Sequence, residues 1–289
     1  MSPDAVVVTF ESAAGLESCL DSVRGHTHVF VVDNASADRS AEIAEAAGAC
    51  VARNAGNRGF AAAANQGAAL GCADLILFLN PDATLAPRDL ALLVGALDDP
   101  SVGAAGPRLV RPDGSEQRAW WPFPSPALAW REALGLERLH SRPPAADGSV
   151  DFVVGACLLV RRDAFERLGG FDERFWLYGE EADLCRRLRD AGLRVVHVPA
   201  ARAVHVGAAS SAALGPVAFE HFQRGAELFV RKHHGPTGLA LHRAGLLVGS
   251  LLRLPVLALR RGDQRLPARR AVVARLVREL ARRPTEVAR

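Results

Sequence analysis

The segment LILFLNPD, residues 75–82, joins five apolar residues to a polar end that carries Asp82. A short continuous apolar run of this kind is typical of a strand buried on both faces of a parallel sheet. Similar runs occur upstream at residues 5–10 (AVVVTF), 28–32 (HVFVV) and 49–53 (ACVAR). Helical patterns separate them, over residues 16–23, 38–47 and 60–71. This alternation predicts a parallel sheet with right-handed crossover helices.

The same reasoning extends to the rest of the chain, with less regular spacing. It predicts a helix near 90–97, strands near 102–107 and 152–160, an acidic helix over 180–191, and strands near 194–198 and 203–206. From residue 216 onward the pattern is helical. The predicted fold class is therefore α/β, with a mostly parallel central sheet flanked by helices and a helical C-terminal extension.

Charge is distributed unevenly along the chain. Residues 217–289 contain 15 Lys or Arg and 5 acids, so the preceding part carries 20 minus 27, or −7. The basic end lacks interleaved aromatic residues and its arginines flank apolar stretches, which favours an anionic membrane surface over nucleic acid as the partner. An amphipathic helix packed on the rest of the chain, or on a second copy in a homodimer, explains the pattern equally well. The apolar residues 239–259 are interrupted by three charged or ionisable residues and a proline, too often for a membrane span.

No two cysteines stand at the spacing of a metal-binding or redox-active pair. All five are scattered along the chain, and we expect buried thiols in a reducing compartment. The N-terminus runs from Met1 straight into a strand-like segment, which leaves no room for a signal peptide. The expected location is the cytoplasm, with peripheral contact at the inner face of the membrane.

Polar residues gather at the predicted strand ends, where parallel sheets place their ligand crevice. Thr9 ends the first strand and Asp33 the second, and a carboxylate there can accept hydrogen bonds from a nucleobase or a ribose. Both residues can instead cap the helix that follows. The turn around Asn57 and Gly59 opens a helix whose free N–H groups favour phosphate, although Gly-rich turns are also common for steric reasons alone.

Asp82 follows Asn80 at the end of the fourth strand, and its carboxylate can bridge a divalent cation to diphosphate oxygens. The alternative is an acid at the start of a helix. His205, at the end of a late strand, becomes a candidate metal ligand if it lies beside Asp82.

The acidic segment GEEADLCRR, residues 179–187, offers a candidate general base. Trp176 and Tyr178 precede it and can form a sugar-facing aromatic platform. The acids can instead complement the helix dipole without any catalytic role.

In their order, these segments resemble the family 2 glycosyltransferases with the GT-A fold, particularly the bacterial rhamnosyltransferase-like members. The resemblance spans about residues 4–235. It rests on the segments VVVTF (6–10), VVDNAS (31–36), NRGFA (57–61), LNPD (79–82), GFDERF (170–175), YGEEADLCRR (178–187) and VHV (204–206).

The resemblance implies a GT-A fold of the Rossmann-like nucleotide-diphospho-sugar transferase type. It implies a catalytic domain over 1–215, with a nucleotide-binding half over 1–107 and an acceptor half over 108–215, followed by an extension over 216–289. Thr9, Asp33, Asn57 and Gly59 would then lie near the donor nucleotide.

By the same resemblance, Asn80 and Asp82 fill the metal-binding DxD position, and His205 that of a further metal ligand. Glu181 stands at the position of the catalytic base, with Asp183 and Arg187 in supporting positions. Two departures are visible: Asn80 replaces the first Asp of the DxD motif, which leaves Asp82 as the main carboxylate ligand, and Glu181 replaces an Asp, which adds one methylene.

The expected activity is an inverting sugar transfer, dependent on Mg²⁺ or Mn²⁺, from a nucleotide diphosphate donor to a hydroxyl of a glycan or lipid-linked acceptor in cell-envelope polysaccharide synthesis. The first candidate donor is dTDP-rhamnose, followed by UDP-sugars. A nucleotidyltransferase is the rival enzyme class, but residues 10–15 lack the basic phosphate-gripping side chain that it needs. A nucleotide-sugar or glycan-binding module without turnover is the rival outside the enzymes, and the acids at positions 82 and 181 argue against it.

Overall fold

A mixed β-sheet forms the centre of the fold in a computed structural model that describes residues 2–136, 148–207, 216–259, 270 and 273–278. The strands are β1 (Asp4–Thr9), β2 (His28–Asp33), β3 (Cys50–Arg53), β4 (Leu75–Leu79), β5 (Ala83–Leu85), β6 (Val102–Val110), β7 (Glu116–Gln117), β8 (Trp120–Trp121), β9 (Ser149–Val150), β10 (Phe152–Val153), β11 (Cys157–Arg161) and β12 (Arg194–His205). The helices are α1 (Ala13–Val23), α2 (Ser40–Ala46), α3 (Phe60–Ala68), α4 (Pro87–Ala96), α5 (Pro126–Ala133), α6 (Arg162–Arg167), α7 (Glu180–Asp190) and α8 (Pro216–Leu259).

The main sheet has the strand order β3-β2-β1-β4-β11-β6-β12-β5, with β7 paired to β6 and β9 to β12. Strands β3, β2, β1 and β4 are parallel, as the alternating pattern predicted. β11 then runs antiparallel to both of its neighbours, β4 and β6, while β6 and β12 are parallel. The α/β class with helices flanking a central sheet is confirmed, and the reversal at β11 is a feature that the apolar runs alone do not reveal.

The central strands present apolar side chains on both faces of the sheet. Helices therefore cover both faces and bury those side chains. On one face Val7 and Leu77 pack with Leu16 of α1 and Leu93 of α4 in a single buried cluster. On the other face the ring of Phe78 lies 5.3 Å from that of Phe165 in α6. Each such side chain contributes roughly 1.5–3 kcal/mol when fully buried, so these layers fix the strand ends where the site forms.

Three predicted boundaries differ from the structure. The run 152–160 divides into β10, which pairs with β8 in a separate two-stranded sheet, and β11, which joins the main sheet. The two strands predicted near 194–198 and 203–206 form the single strand β12, with an irregularity between Val198 and Arg202. Helix α4 begins earlier than predicted because Pro87 stands in its first turn, where the missing N–H costs nothing.

The cysteines are free thiols, but only Cys19, Cys157 and Cys185 are buried. The prediction that all five would be buried was wrong for Cys50 and Cys72, which are exposed, the first at the start of β3 and the second in the connection between α3 and β4.

The chain divides into two compact units. The first comprises Met1–Phe123 and Pro144–Gly225, and the second comprises Pro124–Pro143 and Ala226–Arg289. The catalytic domain predicted over residues 1–215 and the extension over 216–289 describe a division by function, and they remain predictions. By contacts alone, α5 belongs to the second unit.

Within the second unit, two glycines let α8 approach α5 closely. A Cβ atom added at Gly245 would lie 3.0 Å from the carbonyl carbon of Ala129, and one at Gly249 would lie 2.9 Å from Cα of Ala133. A buried carboxylate, Glu227, accepts hydrogen bonds from Arg243 and Arg275 at 2.6 Å each. Although burial favours the neutral acid, these hydrogen bonds lower the pKa of Glu227, so the group stays charged as the centre of an ion cluster.

Helix α8 changes direction at Gly235, whose φ of 70° and ψ of −176° are not helical. Glycine adopts this conformation without steric cost, and the following Pro236 can start a helix because it needs no N–H partner there. Among the described residues, no helix reaches the combination of length and hydropathy that crossing a bilayer requires.

Candidate active site

A cleft of about 220 Å³ lies in the first unit, at the carboxyl ends of the parallel strands. Its lining brings together eight of the residues that the sequence analysis selected: Asn57, Gly59, Asn80, Asp82, Trp176, Tyr178, Glu181 and His205. These residues come from segments separated by as much as 148 positions along the chain, the difference between 205 and 57. The cleft is therefore the candidate active site.

Asp82 and His205 meet because β5 and β12 are neighbouring strands. The antiparallel register pairs Ala83 with His205, and the N–H of Val206 donates to the carbonyl of Asp82 at 3.1 Å. This pairing places Oδ1 of Asp82 3.3 Å from Nε2 of His205. Nδ2 of Asn80 lies 3.4 Å from the same ring nitrogen.

The other ring nitrogen of His205 faces Gln117 on β7. Oε1 of Gln117 lies 2.9 Å from Nδ1 of His205, and Nε2 of Gln117 donates to the backbone carbonyl of His205 at 2.8 Å. A histidine whose Nδ1 carries the proton has a lone pair on Nε2. That lone pair points toward the Asp82 carboxylate, and a proton or a metal ion between the two atoms removes their mutual repulsion.

These residues fit a divalent cation that also binds a substrate. Two atoms 3.3 Å apart can both lie at about 2.1 Å from one ion, the usual Mg²⁺ ligand distance. Within the described parts of the chain, no cluster of three or more His, Cys, Asp or Glu side chains could hold a metal. Asp82 and His205 by themselves cannot close a structural site, and a hard cation held by them would take its other ligands from diphosphate oxygens and water.

Two adjacent acids, Glu180 and Glu181, begin helix α7 and line the cleft. Oε2 of Glu181 accepts from the N–H of Gly179 at 3.1 Å. Desolvation raises the pKa of Glu181, and backbone N–H groups of Gly179, Ala182 and Gly155 oppose the rise. A carboxylate with a raised pKa that remains in contact with the cleft has the properties of a general base.

Glu180 is more deeply buried than Glu181, with only 5% of its surface exposed. Its Oε2 atom has no hydrogen-bond partner among the described residues. Burial, followed by the charge of Glu181, raises the pKa of Glu180 well above its usual range. The two acids therefore differ in environment, because more backbone N–H groups stabilise the anion of Glu181 than that of Glu180.

The turn that opens α3 is joined to the loop that precedes α7. The N–H of Phe60 donates to the carbonyl of Trp176 at 2.7 Å. Gly59 adopts a φ of 83°, and an added Cβ would lie 2.5 Å from that carbonyl oxygen. Asn34, which is buried, donates to the carbonyl of Gly59 at 3.1 Å. The backbone thus holds the turn and the aromatic loop against each other.

The aromatic residues before α7 are stacked by the start of α8. The ring centroid of Trp176 lies 4.7 Å from that of His221, with the planes 28° apart, and Tyr178 meets Phe222 edge-on at 6.2 Å. Tyr178 has a φ of 69°, an unfavourable value for a residue with a side chain. Such strain persists only where surrounding contacts enforce it, so the loop is held in a defined conformation.

Four of the predicted residues lie outside the lining of the cleft. Thr9 and Asp33 are buried, and the hydroxyl of Thr9 donates to Oδ1 of Asp33 at 2.8 Å. Asp33 also accepts from the hydroxyl and the N–H of Ser36. Asp183 pairs with Nε of Arg187 at 2.7 Å. The Arg187 guanidinium also donates to the carbonyls of Leu168 and Gly170, which fixes α7 to the preceding turn.

Several residues that shape the cleft were not predicted as site residues: Phe10, Asn34, Gln117 and Gly155. Glu180 belongs to the acidic segment 179–187, but Glu181 was assigned as the base. Asn34 follows Asp33 and Glu180 precedes Glu181, so their places in these two motifs could have indicated them. For Gln117 no local pattern points to the site, because its role depends on the pairing of β7 with β6.

Comparisons with known proteins identify the family and the fold. Residues 4–169 match the family model described as glycosyl transferase family 2, and residues 141–208 match one described as the N-terminal domain of galactosyltransferase. An N-acetylglucosaminyl-diphospho-decaprenol L-rhamnosyltransferase of Mycobacterium tuberculosis is 37% identical over 147 residues, which are 46% of this chain and 47% of that relative.

A pre-mycofactocin glycosyltransferase of the same organism is 34% identical over 205 residues, 69% of this chain and 42% of its own length. The chain thus spans less than half the length of these two relatives. A mannosyltransferase of Pyrobaculum calidifontis, solved with GDP-Man and Mn²⁺, superposes with a TM-score of 0.59 at 19% identity, over 96% of this chain and 87% of its own.

The structural likeness shows a shared GT-A fold, and the family model covers more than half of the chain, including the turns that carry Asp33, Asn57 and Asp82. This chain therefore belongs to glycosyl transferase family 2.

Proposed function

We propose that the protein is an inverting glycosyltransferase that uses Mg²⁺ or Mn²⁺ to transfer a sugar from a nucleotide diphosphate donor to an acceptor hydroxyl. The observation that carries this proposal is the cleft that Asp82, His205 and Glu181 share. It combines a place for the donor diphosphate with a carboxylate that can accept a proton. These are the two functions that a single displacement at the anomeric carbon requires.

The diphosphate end of the donor is assigned to Asp82, His205 and the neighbouring Asn80. These side chains would hold the cation, which supplies positive charge to the departing diphosphate when bound. Asp82 and His205 are largely buried, at 10% and 14% side-chain exposure, so they are fixed before the donor arrives. Pre-arranged polar groups stabilise developing charge without reorganising during the reaction.

The nucleotide is assigned to the wall formed by Asn57, Gly59 and the N-terminus of α3. The Asp33 side chain is satisfied internally by Thr9 and Ser36, so in this proposal it shapes the turn after β2 or rearranges to meet the base. The cleft lining includes Phe10 and Asn34, the residues directly after Thr9 and Asp33. These neighbours extend the donor wall from the ends of β1 and β2.

Glu181 is assigned the role of general base. Its carboxylate would take the proton of the acceptor hydroxyl as that oxygen forms a bond to the anomeric carbon. The bond from that carbon to the diphosphate breaks in the same step, and the diphosphate leaves with the electron pair. Trp176 and Tyr178 would supply the apolar face against which the acceptor sugar lies. Asp183 and Arg187 support the base by fixing α7.

We propose dTDP-rhamnose as the first candidate donor and a lipid-linked glycan of the cell envelope as the acceptor. The name of the M. tuberculosis relative, an N-acetylglucosaminyl-diphospho-decaprenol L-rhamnosyltransferase, supports rhamnose as the sugar and a lipid-linked glycan as the acceptor. UDP-sugars are the second class of donor. The catalytic part is the region up to about residue 215, and the basic residues 216–289 bring it to the inner membrane face, where such acceptors are anchored.

The test compares the wild type with Glu181→Gln and Glu181→Asp. A thermal-shift screen of dTDP, UDP and GDP with Mn²⁺ first identifies the nucleotide, since a ligand at 100 times its Kd stabilises a protein by about 2.7 kcal/mol. We expect Glu181→Gln to bind the matching nucleotide sugar like the wild type but to lose at least about 10²-fold in kcat. Glu181→Asp, with the shorter side chain of the family pattern, should retain a measurable fraction of turnover.

Near-normal turnover of Glu181→Gln would remove the residue from this role. Donor hydrolysis and acceptor transfer are measured together, because a binding module without catalytic function would show neither in the wild type. Pyrophosphate release from a nucleoside triphosphate would instead indicate the nucleotidyltransferase class.

A further inference from the structure

Gln117 contacts His205 through both ends of its side-chain amide. Oε1 lies 2.9 Å from Nδ1 of the ring, and Nε2 donates to the backbone carbonyl of the same residue at 2.8 Å. One amide therefore binds the main chain and the side chain of a single histidine. The cleft lining includes His205 but not Gln117, so Gln117 acts from behind the site.

The fold brings these residues together across strand β6. β7 pairs with one edge of β6, with Gln117 opposite Leu109, and β12 pairs with the other edge, with Ala203 opposite the same Leu109. The turn at residues 111–115 reverses the chain, with the N–H of Arg111 donating to the carbonyl of Ser115 at 2.8 Å. Gly207 leaves space for the amide, since an added Cβ there would lie 3.0 Å from Nε2 of Gln117.

The two hydrogen bonds together determine that Nδ1 of the His205 ring carries a proton. A backbone carbonyl can only accept, so the amide atom facing it must be the NH₂ group, and the atom facing Nδ1 must be the carbonyl oxygen. That oxygen also only accepts, so Nδ1 must carry a proton. The remaining nitrogen of the neutral ring, Nε2, then presents its lone pair 3.3 Å from Oδ1 of Asp82.

We propose that Gln117 is a positioning residue that selects the Nδ1–H tautomer of His205 and thereby keeps Nε2 available as a metal ligand. This inference rests on the metal site of the proposed function. Residues that hold the second nitrogen of a ligating histidine commonly change metal affinity by about 10- to 100-fold when they are replaced.

Two substitutions separate this role from that of a structural brace for the β7 turn. Gln117→Leu removes both hydrogen bonds. Gln117→Glu keeps an acceptor for Nδ1–H but loses the donor to the backbone carbonyl, so it preserves the tautomer and breaks the brace. Glu116→Gln is the matched control, because Glu116 is the exposed neighbour on β7 whose carboxylate pairs only weakly with Arg108, at 3.5 Å.

The first readout is the tautomer of His205 in the metal-free protein. Long-range ¹H–¹⁵N spectra of ¹⁵N-histidine-labelled protein at about pH 8.5 distinguish the two neutral forms, and a His205→Asn spectrum assigns the signal. We expect the Nδ1–H form in the wild type, in Gln117→Glu and in Glu116→Gln, and a shift toward the Nε2–H form in Gln117→Leu. A wild type in the Nε2–H form, or an unchanged Gln117→Leu, overturns the inference.

The second readout is Mn²⁺ affinity, measured by electron paramagnetic resonance of the free ion with and without dTDP. Gln117→Leu should weaken binding by about 10- to 100-fold, close to the effect of Asp82→Ala, whereas Gln117→Glu should stay within about threefold of the wild type. Equal weakening by Leu and Glu would identify Gln117 as a brace and overturn the proposal. Failure of the wild type to bind Mn²⁺ with any nucleoside diphosphate contradicts the proposed function. The tautomer is measured in the metal-free protein, so that result tests the role of Gln117 independently.

Discussion

At the scale of single residues, the adjacent acids Glu180 and Glu181 show how one helix start can give two carboxyl groups different properties. Glu181 receives backbone hydrogen bonds that stabilise its anion, beginning with that of Gly179. Glu180 has a buried oxygen without a partner in the described structure. A buried charge without a partner is costly, so Glu180 keeps its proton more readily than its neighbour does.

This difference predicts a pH-dependent stability for Glu180. Its pKa in the folded chain is raised above the ordinary 4.5, so the folded state binds the proton more tightly than the unfolded state does. The free energy of unfolding must therefore fall as pH rises above about 4.5, until the folded pKa is reached. In Glu180→Gln this loss is absent, so the melting temperature of the variant relative to the wild type should increase as the pH rises above about 4.5.

The measurement is thermal unfolding of both proteins over that pH range. Glu17→Gln provides the matched control, because Glu17 is exposed on α1 and the same substitution there removes a carboxylate from the surface instead of from a buried position. A constant difference between Glu180→Gln and the wild type across the range would contradict the raised pKa. Such a result would imply that a water or a rearranged side chain satisfies Oε2.

At the scale of elements, the first turn of α3 and the loop before α7 form one structural joint. The N–H of Phe60, which an isolated helix would leave unpaired, is satisfied by the carbonyl of Trp176. Gly59 permits this contact through its positive φ and its lack of a side chain. In the proposed function this joint connects the wall of the donor nucleotide to the aromatic face for the acceptor.

We predict that Gly59→Ala disrupts this joint. An added Cβ would approach the Trp176 carbonyl oxygen to 2.5 Å and its Cδ1 atom to 2.6 Å, and the φ of 83° adds strain of about 1–3 kcal/mol. We expect a lower melting temperature, a changed tryptophan fluorescence spectrum and weaker donor binding. Gly56→Ala is the control, because an added Cβ there meets nothing within 4 Å. Equal behaviour of the two variants would show that the joint is not required.

The strands of the nucleotide half were predictable because each is specified by an apolar run within its own short stretch of sequence. The runs at 5–10, 28–32 and 75–79 each became a strand within one or two residues of the expected limits. The antiparallel β11 and the division of 152–160 were not predictable, because they depend on which strand edge is free after β4 and β6 have formed. Thr9 and Asp33 show the same limit within the site, since their mutual hydrogen bond depends on the register of β1 and β2.

At the scale of the whole molecule, charge and exposed apolar residues point to a second role for the C-terminal unit. Leu241 and Leu252 are about half exposed and stand eleven residues apart on α8, close to three helical turns, so they lie on one side of the helix. Five arginines follow between residues 260 and 270, where the sequence has a single acid. Apolar residues next to a basic segment are the features of a surface that binds anionic lipid.

We predict that the protein of residues 1–289 floats with vesicles that contain anionic lipid and less with neutral ones. Each arginine near such a surface contributes about 1 kcal/mol, so replacing the five with glutamine should lower partitioning by at least about 100-fold. The substituted residues are Arg260, Arg261, Arg265, Arg269 and Arg270. Raising the salt concentration should weaken binding of the wild type, because screening shortens the reach of these charges.

The control has the same change of net charge at exposed arginines of the first unit: Arg24, Arg39, Arg53, Arg88 and Arg111. If net charge alone attracted the protein to the vesicles, both variants would lose binding equally. If the C-terminal helices instead contact only protein, neither variant would differ from a wild type that does not float. A dimer in sedimentation measurements would then identify the contacted protein as a second copy, and a monomer would identify it as the rest of the same chain. Loss of flotation confined to the C-terminal variant, with transfer to a soluble acceptor unchanged, is the outcome that assigns this unit to the membrane surface.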